Sequence, residues 1–402
     1  MIPKATIVAI ANAAGLFPTT VDKDYVLGWL LYGVAAHAEL SRWVFKGGTC
    51  LKKCFFDTYR FSEDLDFTVP AEVELSEAGI RGALSSLCAW VEGESGIRFP
   101  AGGLGVERYA NKQGTESYQA KVTYDGAFPM PRSSLQRIKF DITQREILVG
   151  PVDQRTIFHP YADGPATAAT MRCYSANEIL AEKTRALYER QGRARDLYDV
   201  VHISRSFRDE VSPQIAREVL EKKFAFKKLE APTVAAILAR IEWDLVRRDW
   251  AEQLRHQLPK LPDIESFKAD LLDALAWWME PAQAAPLLPR TPTDVSQRAI
   301  ARRPFSAPPT VRAGVMSFGG LPEAIRFAAR NRMIATFSYH GTPRVVEPYS
   351  LRHPKTGNVL LYAFELTKAG ASTGTIKAYV VDEIRAAEAL EVRFVPQWMV
   401  EL

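Results

Sequence analysis

Two aspartates one residue apart, Asp64 and Asp66, are the residues of this chain whose type and spacing point most directly to chemistry. From Asp64 to Val69 polar and apolar residues alternate, so the segment reads as a strand with one buried face, and Pro70 ends it. Residues two apart on a strand project from the same face, which aims both carboxylates at one place while Leu65 and Phe67 turn into the core. Carboxylates so paired can hold one or two Mg²⁺ or Mn²⁺ ions. The stretch Ile138-Lys139-Phe140-Asp141-Ile142 alternates in the same way, and Asp141 is the candidate third metal ligand. Upstream lie Gly47 and Gly48, where a main chain without Cβ atoms can approach a phosphate and turn its N–H groups outward. Thr49 and Ser62 can add hydroxyl hydrogen bonds. A bare Asp-x-Asp can equally be a solvated acidic edge, and a glycine pair a plain tight turn. Together they supply what transfer from a nucleoside triphosphate requires: a metal cage and a phosphate cradle.

Positioning these groups calls for a mixed, α+β architecture. Met1 to about Arg42 reads as helical, with cap chemistry at Thr20 and Asp22 and apolar residues at helical spacing from Val26 to Ala38. Helices are also expected over Leu75–Gly93, Ala176–Tyr188 and Arg193–Ser204, with more helices to about Trp278. Residues 102–125 and 135–148 read as strands with polar turns. Between Pro281 and Pro309 five further prolines interrupt any regular element, so this stretch reads as an extended linker. Beyond it Leu321–Arg332 reads as a helix, and Ile334–Val395 as strands turning at His340-Gly341 and Thr356-Gly357-Asn358. The expected division is 1–205, 206–280 as a helical extension, 281–312 as the linker and 313–402 as a small β domain.

The ordered set of motifs resembles a known family. Lys46-Gly47-Gly48-Thr49-Cys50-Leu51-Lys52-Lys53 followed by Arg60-Phe61-Ser62-Glu63-Asp64-Leu65-Asp66 is similar to the signature of the AbiEii/AbiGii (MenT-like) nucleotidyltransferase toxins, of the DNA polymerase β-like superfamily. The similarity extends upstream through Asp22–Leu27 and downstream through Glu178–Leu187 and Arg193–Asp199, and so covers roughly the first 260 residues. Cys50 stands where that pattern has a small residue. The resemblance implies a polymerase β-like nucleotidyltransferase core with a helical C-terminal extension. It also implies that Lys183 contacts the triphosphate and that Asp196 is an acidic residue needed for activity. A compact lysine charge suits phosphate. On the residues alone, Lys183 can equally be an exposed helical lysine pairing with Glu178 or Glu182, and Asp196 and Asp199 can pair with Arg193 or Arg195. The implied reaction is transfer of a nucleotide from an NTP to RNA, notably tRNA, with loss of pyrophosphate, in a toxin–antitoxin or phage-defence system with a cognate antitoxin as partner. Lys222, Lys223, Lys227, Lys228, Arg247 and Arg248 are candidates for RNA-backbone contact, or else a solvated helix face.

The segment Phe337–Leu351, preceded by Ala324–Arg330 and followed by Tyr379–Ile384, resembles a WYL-type module, an Sm-like β-barrel, with Leu361-Tyr362 where the naming Trp-Tyr-Leu would stand. Tyr339, His340, Arg344 and Arg352 are its candidate ligand residues, and a scaffold for protein contacts is the alternative.

Composition narrows the remaining classes. A net charge of +4 does not by itself mark a nucleic-acid binder. The four cysteines, Cys50, Cys54, Cys88 and Cys173, form no Cys-x-x-Cys pair and read as reduced thiols packed as small apolar groups, which fits a cytoplasmic location. Tyr25–Leu40 is apolar but interrupted by His37 and Glu39, so it reads as a core helix with no role in a membrane. Two other readings stay open: a kinase-like phosphotransferase that moves the γ-phosphate to a partner protein, and a nucleotide-binding regulator that transfers nothing.

Overall fold

The computed structural model describes residues 1–56, 59–110, 116–128, 130–144, 146–165, 167–292, 323–353 and 358–402. The expected helical N-terminus is two helices, α1 (Lys4–Ala14) and α2 (Pro18–Ala36). Gly15, at φ +66, ends the first in the left-handed conformation and Pro18 opens the second. Asp22 is therefore not a cap. It lies inside α2, is buried, and accepts a hydrogen bond from the Ala127 N–H (3.0 Å).

A seven-stranded mixed sheet follows. Its strands are β1 (Val44–Lys46), β2 (Asp64–Thr68), β3 (Leu104–Ala110), β4 (Glu116–Thr123), β5 (Arg137–Thr143), β6 (Val152–Thr156) and β7 (Thr170–Tyr174), in spatial order β3-β4-β5-β2-β1-β7-β6. Strand β2 lies at the centre, antiparallel to β1 and parallel to β5. Its alternation is that expected from the sequence: Leu65 and Phe67 are fully buried, and Phe67 packs against Phe45 (5.2 Å between ring centroids) and Phe140 (6.2 Å). Each such ring contributes about 1.5–3 kcal/mol through burial, which fixes the register: a slip of one residue would turn the aspartates into this aromatic layer. The short strands β1, β6 and β7 carry no periodic signal long enough to be read in advance.

The helix α3 (Gly47–Cys50) leads directly out of β1 and continues as a π turn, Leu51–Phe55; α4 (Glu77–Ser95) is capped by the Ser76 hydroxyl. Then come α5 (Ala176–Glu189), α6 (Ala194–Ser206), α7 (Pro213–Phe226), α8 (Val234–Arg240), α9 (Trp243–Leu254) and α10 (Ile264–Met279). Helices α9 and α10 pack on α6, and α7 on α5, so the helical extension shares a core with the segment before it.

Of the expected linker, residues 281–292 are described: a short 3₁₀ turn at Pro281–Gln283, then extended chain whose Pro289 carbonyl accepts from the Met399 N–H (2.8 Å). The rest of 281–312 lies outside the described residues. The C-terminal unit has α11 (Glu323–Arg330) and the strands β8 (Met333–Tyr339), β9 (Thr342–Arg352), β10 (Leu360–Lys368), β11 (Ala371–Val380) and β12 (Ile384–Arg393). The expected turn at His340-Gly341 has positive φ at both residues, the hairpin geometry that matches strand twist. The turn at 356–358 falls largely outside the described residues. The barrel expectation is corrected: strand order is β11-β10-β9-β8-β12, and no pairing between β11 and β12 closes the sheet among the described residues. The mixed α+β class stands.

No single helix among the described residues is long and apolar enough to cross a membrane.

Candidate active site

Register brings the acidic residues together. Asp66 of β2 is paired with Asp141 of β5 on one side and with Lys46 of β1 on the other, and Asp64 lies opposite Lys139. All three aspartates are half-buried, on the sheet face opposite Leu65, Phe67 and Phe140. Burial first, then the neighbouring Asp141 and Asp64, raises the Asp66 carboxyl to about 6, against the lowering charges of Lys46 and Lys183. Burial likewise raises Asp64, opposed by Lys139 and Lys23. The three carboxylates do not close to within 4.8 Å of one another. Asp141 forms an ion pair with Lys139 and accepts from the Gln119 amide (3.3 Å).

Such a raised carboxyl has a stability signature. When the folded-state value lies above the unfolded one, there is no penalty below about pH 4, a growing one toward pH 6, and the full penalty above that. Asp66→Asn removes the ionisation and should therefore stabilise the protein by about 1–2 kcal/mol near pH 7 without divalent cations, and not at all near pH 4. Urea denaturation at the two pH values checks this; equal midpoint shifts at both would refute it.

The glycine turn abuts the aspartates. Gly47 has φ +82, and a Cβ placed on it would collide with the Asp66 carboxylate. A Cβ on Gly48 would fall 2.8 Å from Nη2 of Arg60 and 2.9 Å from the Ser62 hydroxyl. Gly47→Ala should therefore cost about 1–2 kcal/mol from the left-handed backbone alone, read as a lower urea midpoint. An unchanged midpoint would show that the turn is not held as described. Ser62 lines the turn as expected. The Thr49 side chain does not: it is buried and its hydroxyl donates to the Asp64 carbonyl, tying the turn to β2.

Lys183 is neither exposed nor paired with Glu178 or Glu182. Its Nζ lies 2.7 Å from Oδ2 of Asp199 and 3.9 Å from Oδ1 of Asp196. Asp196 is buried and pairs with Arg190 (3.1 Å), in place of Arg193 or Arg195. Asp199 is the more deeply embedded of the two. It accepts from Nε (2.7 Å) and Nη2 (2.8 Å) of Arg60 and from the Tyr59 hydroxyl. Burial opposes its ionisation, but Arg60 and then Lys183 hold its carboxyl well below the usual carboxylate range. Nη1 of Arg60 also donates to Gln257 (2.9 Å), whose carbonyl accepts from the Phe61 N–H (2.8 Å), so the helical extension fixes the loop beside the glycine turn.

Residue-type reasoning gave no role to Arg60, although it lies in the quoted motif, and took Lys46 as part of the phosphate-binding turn. Lys46 forms an ion pair with Glu146 and lies 3.9 Å from Glu182. Lys223 does not face solvent where an RNA backbone could reach it: it is 2 % exposed and pairs with Glu178 (2.7 Å) and Glu182 (3.3 Å). Lys227 lies 3.8 Å from Glu189, Arg247 pairs with Asp244 and Glu265, and Lys222 and Lys228 are exposed.

In the C-terminal unit Tyr339, Arg344, Glu365 and Tyr379 line a cavity of about 480 Å³, with Arg344 3.2 Å from Glu365. His340 stacks on Tyr339 and pairs with Glu383 (2.6 Å), and Arg352 pairs with Glu401 (2.6 Å).

No curated protein matches the chain. Among solved structures, MenT4, a nucleotidyltransferase toxin from Mycobacterium tuberculosis H37Rv, is similar at 21% identity and a TM-score of 0.42, over 70% of this chain and 90% of that one. Residues 29–280 match the family described as nucleotidyl transferase AbiEii toxin, type IV toxin–antitoxin system, a span that holds the aspartates, the glycine turn, Lys183 and Asp199 and ends before the C-terminal sheet. The chain belongs to the AbiEii nucleotidyltransferase toxin family.

Proposed function

We propose that this protein is a metal-dependent toxin that transfers a nucleotide from an NTP to an RNA hydroxyl, with tRNA the acceptor class, and releases pyrophosphate. The observation that carries the reading is the side-by-side placement of Asp64 and Asp66 against the Gly47-Gly48 turn. An oxygen-only donor set suits a hard divalent cation such as Mg²⁺ or Mn²⁺. Asp64 and Asp66 would hold it, and Asp141 would join once Lys139 releases its carboxylate. Bound there, the ion offsets phosphate charge and makes a nearby hydroxyl more acidic.

The chain's own groups do the rest. Gly47 and Gly48 present main-chain N–H groups to the phosphates, with the Ser62 hydroxyl beside them. Lys183, aimed by Asp199, supplies a fixed positive charge for the triphosphate. Asp196 shares in holding that lysine, an indirect role without contact to substrate. A cognate antitoxin is the expected protein partner. The C-terminal sheet would act as a WYL-like sensing or RNA-guiding module through the cavity at Arg344 and Tyr379.

Incubation with total RNA, Mg²⁺ and each labelled triphosphate in turn tests this reading. Label from the α-position is expected on RNA. Label from the γ-position on protein would instead establish the kinase-like reaction, and binding without either label the regulator.

A further inference from the structure

The thiols are not scattered in space. Cys50, Cys54 and Cys173 bring their sulfurs within 4.8 Å of one another, and all three are buried. Cys50 closes α3, the helix that begins at the glycine turn; Cys54 lies in the π turn that follows; Cys173 comes from β7, where it is paired in register with Phe45 of β1. The π turn is explicit, since the Phe56 N–H donates to the Leu51 carbonyl five residues back (2.8 Å). Single π turns inside helices cluster at functional sites, and this one carries the second sulfur of the group.

We infer that Cys50, Cys54 and Cys173 form a trigonal thiolate site for a soft monovalent d¹⁰ cation, of which Cu⁺ is the type. Three sulfurs select a thiophilic ion, and among the described residues no histidine or carboxylate donor joins them to complete the tetrahedron that Zn²⁺ takes. A trigonal ion with bonds of ~2.3 Å sets its sulfurs about 4.0 Å apart, a spacing compatible with three sulfurs that lie within 4.8 Å of one another. The thiols interact chiefly with one another. Cys50 and Cys173 also make long contacts to the Phe45 and Met171 carbonyls (3.5 Å each). Hydrogen bonds from Cys173 and Cys50, and then the charges of Lys53 and Arg155, lower Cys54, while burial raises Cys50 and Cys173. Binding forms three metal–sulfur bonds, and each thiol proton that is displaced leaves to solvent with no change of oxidation state.

The test is an anaerobic titration of the full chain with Cu⁺ against a chromogenic chelator. One equivalent is expected to move to the protein, with three sulfur neighbours in the X-ray absorption spectrum of the loaded wild type. Cys173→Ser and Cys54→Ala should each weaken binding by about 100-fold or more, since even partners outside a ligand shell are worth 10–100-fold. Cys88→Ser, on α4, should bind as the wild type does. The inference is overturned if Cu⁺ stays with the chelator or if the spectrum shows other than three sulfurs. It is also overturned if oxidation bridges two of these cysteines, a loss of two hydrogens by intact mass, in protein that takes up no metal. Because the readout is metal uptake, the result is independent of the proposed transfer activity.

Discussion

Asp66→Ala is expected to lower nucleotide transfer by about 1000-fold or more, while the protein remains folded. Asp66 is in register with Lys46 and Asp141, and the glycine turn lies against its carboxylate. In the proposed reaction, removing it would take away a metal ligand and so the charge stabilisation that the ion supplies, a loss worth several kcal/mol, and each 1.4 kcal/mol is tenfold in rate. Stability should move the other way, because the substitution also removes a half-buried carboxylate whose ionisation its surroundings disfavour. A large fall in activity with unchanged or higher stability separates a chemical role from a folding one. Loss of both together would assign Asp66 to the fold.

The second large effect concerns Asp199. Its carboxylate sits among Arg60, Lys183 and Tyr59 and is fully buried. Truncating one member of a buried charge cluster leaves the others uncompensated, at a cost of about 3–5 kcal/mol. Asp199→Ala should therefore lower stability by that amount in urea denaturation and release Lys183 from its fixed position. Asp196→Ala should cost less, because Asp196 pairs most closely with Arg190, which is exposed. Equal costs for the two variants would contradict the assignment of Asp199 as the centre of this network.

How much of this was legible in the sequence follows from range. The alternation from Asp64 to Val69 is local, and so is that around Asp141, and both strands are where their residue pattern puts them. That the two strands run parallel, with Asp66 beside Asp141, depends on pairing across some 75 positions and leaves no local trace. The same holds for Cys173, which reaches Cys50 and Cys54 through a five-residue strand. Lys222 and Lys223 look alike in sequence, yet only Lys223 faces α5, where Glu178 and Glu182 receive it. Thr49 has the right chemistry for phosphate, but its hydroxyl is already engaged by the Asp64 carbonyl. Roles for Lys183 and Asp196 are implied by the resemblance alone. The structure adds that Asp199, one turn on, is the partner that holds the lysine.

The most direct measurement is the anomalous diffraction of Mn²⁺ in crystals of the full chain grown with a non-reactive nucleoside triphosphate analogue. A manganese peak between Asp64 and Asp66, with the triphosphate lying along Gly47-Gly48 and reaching Lys183, is the predicted result. Manganese bound away from both aspartates, or triphosphate bound away from the glycine turn, would contradict it.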